Sequence, residues 1–362
     1  MKRLIRRHLI DAAPYQAVQP LGVLAQRLGI PVEQVIKLDA NESPYGCSPR
    51  VMQALAKADS HHIYPDPEHR ELRTMLEEYT GMGEEYIAVG SGSDELIDLI
   101  LRMTLDPGDK VINFPPTFVP YGIRIKMCNG EIVDIPRDAD FGVDVEKAKS
   151  AIDEHTKVIL LCNPNNPTGN TTPVSDIISL LETGIFVVVD EAYYEFSGET
   201  VAHLVPSYPN LIVLRSFSKW AGLAGLRIGY GIFDPEVWEI IYKSKLPYNV
   251  SSAAQMAAME SLRDLDNMKE RIEAITSERE RLSMELKQQG MLAPYPSRAN
   301  FILCQAMNSD AEQIKNALEQ DGIFVRYFDT PMLRNTVRIT VGKPEHTDAL
   351  IKSLNKLSHK QS

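Results

Sequence analysis

A lysine a few residues past a run of aliphatic residues, set among serines and glycines, is a candidate nucleophile. Lys219 is such a residue. Leu211-Ile212-Val213-Leu214 runs into Arg215-Ser216-Phe217-Ser218-Lys219, and Gly222-Leu223-Ala224-Gly225-Leu226-Arg227 follows. An amine at the end of a buried strand loses hydration, which favours its neutral, nucleophilic form. Arg227 offers a permanent cation suited to a phosphate dianion. Three other loops follow aliphatic runs in the same way. After Val158–Leu161 comes Asn163-Pro164-Asn165-Asn166-Pro167-Thr168-Gly169, in which two prolines hold amide donors rigidly at a sheet edge. After Ile185–Val189 comes Asp190-Glu191-Ala192-Tyr193. An acid at the end of a buried strand is costly unless it meets a cation or a protonated nitrogen. After Ile87–Val89 comes Gly90-Ser91-Gly92-Ser93-Asp94-Glu95, opening a helical segment whose backbone N–H groups suit an anion. This loop is neither a P-loop nor a dinucleotide fingerprint, because no Gly-Lys-Ser/Thr follows and Glu95 fills the third glycine's place. Each loop alone also reads as an ordinary turn, an N-cap or a solvated charge. Four of them on successive strand ends point to one polar site.

The elements that must position these residues are short, β-branched and nearly continuous in hydrophobicity, as strands buried on both faces of a largely parallel sheet are. Alternation with helix-like segments predicts an α/β domain, its mostly parallel sheet sandwiched by helices. Ligands then bind outside the carboxyl ends of the strands, where the four loops lie. The character changes near residue 250. Ser251 to Gln289 contains neither proline nor glycine and reads as long helix, with a break expected around Asp264–Asn267. Asn300–Leu303, a helix over Ala311–Gln320, Phe324–Arg326 and Thr336–Val341 then predict a smaller α+β domain. The expected division is an N-terminal arm over 1–32, a large domain over 33–248, and a small domain over 249–362 that begins with the long helix.

Bulk properties exclude several function classes. The chain has 362 residues, 44% hydrophobic and 24% charged, so it can bury a large core without disulfides. A formal net charge of −11 argues against a nucleic-acid or anionic-membrane surface. The basic start (Lys2, Arg3, Arg6, Arg7) lacks an apolar h-region, so a solvated arm is expected rather than a targeting segment. No stretch approaches the roughly 18 consecutive apolar residues of a membrane helix. Cys47, Cys128, Cys162 and Cys304 stand far apart, which fits a reducing cytoplasm and offers no metal cluster. His61, His62 and His69 lack partners at metal spacing and are expected in a surface loop or an interface.

Taken together and in order, Asn-Pro-x-Asn-Pro-Thr-Gly, Asp-x-Ala-Tyr and Ser-x-Ser-Lys followed by Gly-Leu-x-Gly-x-Arg resemble the fold-type I pyridoxal-phosphate-dependent aminotransferases. Leu38–Gly46, Tyr64-Pro65, Asn300–Leu303, Val337–Gly342 and Ala13–Gln16 narrow the resemblance to the histidinol-phosphate aminotransferase group. The resemblance implies that Lys219 forms a Schiff base with pyridoxal 5′-phosphate and moves the proton between Cα and C4′. It implies that Asp190 pairs with the pyridine nitrogen, and that Asn166 and Tyr193 hydrogen-bond the phenolate oxygen. Ser216, Ser218 and Arg227, with Ser93 and Asp94, are expected to hold the phosphate. Phe118 is expected to stack on the ring; the family often has tyrosine there, so this chain keeps the ring face and lacks the hydroxyl. Tyr64 is expected to reach the cofactor of a neighbouring subunit in a homodimer. Arg326 and Arg338 are expected to take substrate carboxylate or phosphate, and Tyr15 and Asn41 to line the substrate pocket. The implied reaction is amino transfer between glutamate and imidazole-acetol phosphate. An aromatic amino-acid aminotransferase and a lyase resembling threonine-phosphate decarboxylase remain open on the same motifs. A non-catalytic regulator is not expected, because too few residues precede the motifs for a DNA-binding helical module.

Overall fold

A computed structural model describes residues 2–10 and 17–361. Twelve strands are present among them: β1 (Ile36–Leu38), β2 (Ile87–Gly90), β3 (Lys110–Asn113), β4 (Glu131–Asp134), β5 (Thr156–Cys162), β6 (Phe186–Asp190), β7 (Leu211–Ser216), β8 (Gly229–Ile232), β9 (Leu292–Pro294), β10 (Phe301–Ala306), β11 (Ile323–Tyr327) and β12 (Thr336–Thr340). Seven form one sheet in the order β2-β8-β7-β6-β5-β3-β4. All its pairings are parallel except those of β8 with β2 and β7. The strand period explains why the aliphatic runs are continuous. Ile159, Leu161, Val187, Val189, Leu211 and Val213 pack into one core, while Val158, Leu160, Val188, Ile212 and Leu214 pack into another on the opposite face. Each such side chain contributes about 1.5–3 kcal/mol on burial. The central strands are therefore held rigidly, and the loops at their carboxyl ends inherit that rigidity.

The second sheet has five strands in the order β1-β11-β12-β10-β9. Its β1 pairs parallel with β11, Ile36 opposite Ile323 and Leu38 opposite Val325. The boundary expected at residue 33 thus places with the large domain a strand that is bonded into the smaller sheet. Hydrogen bonding to a partner nearly 290 residues away leaves no local trace in an Ile-Lys-Leu tripeptide. The long helical region divides into Ser252–Leu262 and Leu265–Gln289, with the break at Arg263-Asp264, at the leading edge of the expected Asp264–Asn267. Ser251 caps its start by accepting from the Ala254 N–H, and Gly290 ends it in the left-handed conformation at φ 87°. His69, expected in a surface loop or an interface, is buried at the start of the helix Arg70–Thr80. Among the described residues no helix is long and apolar enough to cross a membrane, and no cluster of His, Cys, Asp or Glu is arranged for a metal ion.

Candidate active site

The carboxyl ends of β5, β6 and β7 open into a cavity of about 510 Å³ whose far wall comes from the small sheet. Asp190 is the last residue of β6, and Lys219 follows β7 by three residues. Both line the cavity, together with Asn166 and Tyr193 from the intervening loops. The Asn-Pro loop divides its amides by role. Asn165 turns inward, donating to Pro116 O at 2.9 Å and Thr168 Oγ1 at 2.6 Å and accepting from Thr117 at 2.8 Å, which fixes the loop. Asn166 faces the cavity and donates to the Tyr193 hydroxyl at 3.3 Å. Asn41 donates to the same hydroxyl at 3.0 Å. Two donors on one oxygen leave the Tyr193 proton free to point at a ligand.

Burial sets the electrostatics. Loss of hydration, with the nearby Arg338 cation acting in the same direction, lowers the Lys219 amine from its usual 10.5 to about 8. Its one hydrogen bond within the described residues goes to Ala40 O at 3.3 Å. Asp190 moves the other way. Desolvation raises it to about 6 against the opposing pull of hydrogen bonds from Tyr121 and from the Ala192 N–H. The Tyr193 phenol is raised above its usual value by burial, so its hydroxyl stays protonated.

One end of the cavity is built for an anion. The helix Ser93–Thr104 begins beside Ser216, Ser218 and Arg227, and Arg227 donates to Asp94 at 2.8 Å. This close approach depends on glycine at two places. A Cβ on Gly92 would lie 2.7 Å from the Arg227 guanidinium, and one on Gly229 would lie 2.6 Å from Ser93 N. At the opposite wall Arg326 and Arg338 are cross-strand partners in register on β11 and β12. Like charges directly opposed destabilise a sheet pair unless anions or dipoles compensate. Arg338 donates to Asn166 Oδ1 at 2.5 Å and to Asp39 O at 2.7 Å, which ties the small sheet to the Asn-Pro loop. The Phe328 ring lies 5.8 Å from the Arg326 guanidinium and 5.7 Å from that of Arg338.

Of the residues singled out by sequence, Ser93, Asp94, Phe118, Asn166, Asp190, Tyr193, Ser216, Ser218, Lys219, Arg227, Asn41, Arg326 and Arg338 line this single cavity. Tyr64 does not. It is 77% exposed and stacks on Tyr248 with ring centroids 4.4 Å apart. Tyr15 lies outside the described residues. Several residues that line the cavity or support its lining carry no sequence signal that sets them apart. Tyr121, the buried donor to Asp190, looks like any apolar position of a short helix; Cys162 looks like the end of an aliphatic run; Phe328 and Val18 lie in loops without a motif.

The donor set fits pyridoxal phosphate. A dianion suits Arg227, the two serines and the helix start, a ring nitrogen suits Asp190, a phenolic oxygen suits Asn166 and Tyr193, and an aldehyde suits the Lys219 amine. Comparison with known proteins agrees. Residues 33–354 match the family model "Aminotransferase class I and II". A histidinol-phosphate aminotransferase of Dehalococcoides mccartyi is 46% identical over 357 residues, covering 99% of this chain and 98% of that protein. A chloroplastic histidinol-phosphate aminotransferase of Nicotiana tabacum is 46% identical over 356 residues, 97% of this chain and 86% of that one. The crystal structure of histidinol-phosphate aminotransferase from Sinorhizobium meliloti in complex with pyridoxal 5′-phosphate superposes with a TM-score of 0.89 at 27% identity, covering 99% of this chain and 98% of that one. With a fold-type I architecture and this site at its strand ends, the chain belongs to the class I and II aminotransferase family.

Proposed function

We propose that the chain uses pyridoxal 5′-phosphate to transfer an amino group between glutamate and imidazole-acetol phosphate, yielding histidinol phosphate and 2-oxoglutarate as a step of histidine biosynthesis. The observation that carries this reading is one cavity in which a desolvated lysine, a buried acid and two register-paired arginines converge. The 46% identity to histidinol-phosphate aminotransferases over nearly the whole chain supports the substrate.

When bound, pyridoxal phosphate supplies an electron sink for the electron pair released at the substrate Cα. The chain's own residues do the rest. Lys219 would hold the cofactor covalently and, freed by the substrate amine, would carry the proton between the substrate Cα and the cofactor C4′. An amine near 8 is divided between charged and neutral forms close to neutral pH, as a group that both accepts and donates requires. Asp190 faces the ring nitrogen. Asn166 and Tyr193 donate to the phenolic oxygen, and Phe118 offers its ring face. Ser93, Ser216, Ser218 and Arg227 hold the phosphate, with Asp94 orienting the Arg227 guanidinium. Arg326 and Arg338 receive the substrate anions, carboxylate from glutamate and phosphate from histidinol phosphate, because a guanidinium fork serves either. Asn41 borders the same pocket.

The reading includes a cytoplasmic homodimer in which Tyr64 reaches the partner's cofactor. The stacked rings of Tyr64 and Tyr248, both exposed, support it, since adjoining exposed apolar side chains can mark a contact surface. It also keeps the division into arm (1–32), large domain (33–248) and small domain (249–362), with β1 stitching the large domain's first residues to the small sheet. Single-turnover assays with glutamate, histidinol phosphate, phenylalanine and threonine phosphate test the substrate. Histidinol phosphate is expected to give the highest kcat/KM. Preference for phenylalanine would make the chain an aromatic aminotransferase, and carbon dioxide release from threonine phosphate would make it a lyase. Arg326→Ala is expected to weaken the phosphorylated substrate selectively, whereas equal loss for every substrate would mark Arg326 as structural.

A further inference from the structure

Asp190 is held on both of its oxygens by groups that do not belong to the cavity's ligand. Oδ1 accepts from the Ala192 N–H at 3.1 Å, and Oδ2 accepts from the Tyr121 hydroxyl at 2.7 Å. Tyr121 is 1% exposed and stands in the first turn of the helix Pro120–Met127, with its ring edge-on to Phe118 at 5.3 Å. Burial and the adjacent carboxylate raise its phenol well above the usual value, so the hydroxyl keeps its proton and donates it to Asp190. The other charged and titratable groups around Asp190 do not replace this contact. Cys162, its register partner on β5, has its thiol pushed up to about 12 and stays neutral. Asp94 and Glu191 both act with burial to make Asp190 more basic. Arg137, Tyr193 and Lys219 make no hydrogen bond to the Asp190 carboxylate among the described residues.

We propose that Tyr121 is a positioning residue that acts through Asp190: by donating to Oδ2 it keeps the proton shared with the cofactor on the ring nitrogen instead of on the carboxyl. The inference rests on the pyridoxal-phosphate reading above. A proton between a carboxylate and a pyridine nitrogen resides on the more basic partner, and each hydrogen bond to the carboxylate makes that carboxylate less basic. Removing the hydroxyl leaves the Ala192 N–H as the single opposing donor against burial, Asp94 and Glu191. The nitrogen then loses the proton, and with it the positive charge that draws electrons from Cα.

The test uses the full-length holoenzyme loaded with pyridoxal phosphate carrying ¹⁵N in its ring. The nitrogen's chemical shift distinguishes a protonated from a neutral, hydrogen-bonded pyridine. Wild type is expected at the protonated position. Tyr121→Phe, which keeps the ring that packs on Phe118, is expected to move the signal toward the neutral position, its proton equilibrium changed by about tenfold, as for loss of one hydrogen bond to a charged group. Tyr121→Leu is expected to do the same and serves if the first variant folds poorly. A purely structural role lowers thermal stability and leaves the nitrogen protonated, and that result in both variants overturns the inference. A neutral nitrogen in wild type overturns it as well while leaving the cofactor reading intact. A wild-type protein that takes up no pyridoxal phosphate overturns both.

Discussion

Replacing Gly92 by alanine separates the phosphate end of the site from the rest. Gly92 has φ 77° and ψ 164°, a region essentially reserved for glycine, and a Cβ there would lie 2.7 Å from an Arg227 guanidinium nitrogen and 3.4 Å from its central carbon. In the ligand-free protein Arg227, about half exposed, can swing away and relieve the contact. Binding a phosphate at the helix start requires the guanidinium back in place beside Asp94. The contact then falls on the bound state, at about 1–3 kcal/mol as for overpacking, or about 5- to 150-fold in Kd, whereas the backbone strain is carried by the free and bound protein alike. The assay is fluorescence titration of the apoprotein with pyridoxal phosphate and, separately, with pyridoxal. Gly92→Ala is expected to weaken the first within that range and leave the second nearly unchanged. Equal weakening of both ligands, or no loss for the phosphate ester, refutes the placement of the anion against Gly92, Ser93 and Arg227.

Stability of the apoprotein should follow its two perturbed groups. Lys219 titrates near 8 when folded and near 10.5 when free, so the unfolded chain binds more protons between those values and stability rises with pH across that window. Lys219→Met removes the rise. Asp190 titrates near 6 instead of 3.8, so the folded chain binds more protons in that interval and stability falls as pH climbs through it; Asp190→Asn removes the fall. Urea unfolding against pH measures both, and unchanged slopes in the variants contradict the assignments. On the sheet face away from the cavity, Arg215 and Glu191 form a buried pair at 3.0 Å that joins the ends of β6 and β7. Arg215→Met is expected to cost about 3–5 kcal/mol by stranding Glu191, read from the urea midpoint, and a loss below about 1 kcal/mol contradicts it. Mixed dimers of Tyr64→Ala and Lys219→Ala subunits should regain up to about a quarter of wild-type activity, since half of the dimers then carry one intact composite site. Mixtures as inactive as their parents refute a contribution of Tyr64 across subunits.

Much of this site was legible in the sequence because rigid strands deliver chemistry to their own carboxyl ends. Lys219, Asp190 and Asn166 each follow an aliphatic run within a few residues, so the local pattern both predicts the strand and locates the side chain. Arg227 and the Gly90–Asp94 turn were legible only in company, because each alone reads as a solvated charge or a capped turn and only the four loops together mark one polar site. What stayed hidden depends on contacts distant in sequence. Tyr121 meets Asp190 across 69 residues, and β1 meets β11 across a separation that no local pattern encodes. The division of labour between Asn165 and Asn166 is likewise invisible in the motif, because both are asparagines between prolines and only the fold turns one inward. Tyr64 is the reverse case. Family likeness singles it out, but within one chain it stacks on Tyr248 and does not line the cavity.

The central claim is that Lys219 carries the cofactor, and borohydride trapping followed by peptide mass analysis tests it most directly. The purified protein is expected to be yellow. Reduction should bleach that colour and add one pyridoxal-phosphate group, stable to digestion, to the peptide that contains Lys219. A colourless protein, or a reduced adduct found on any other lysine, contradicts the account.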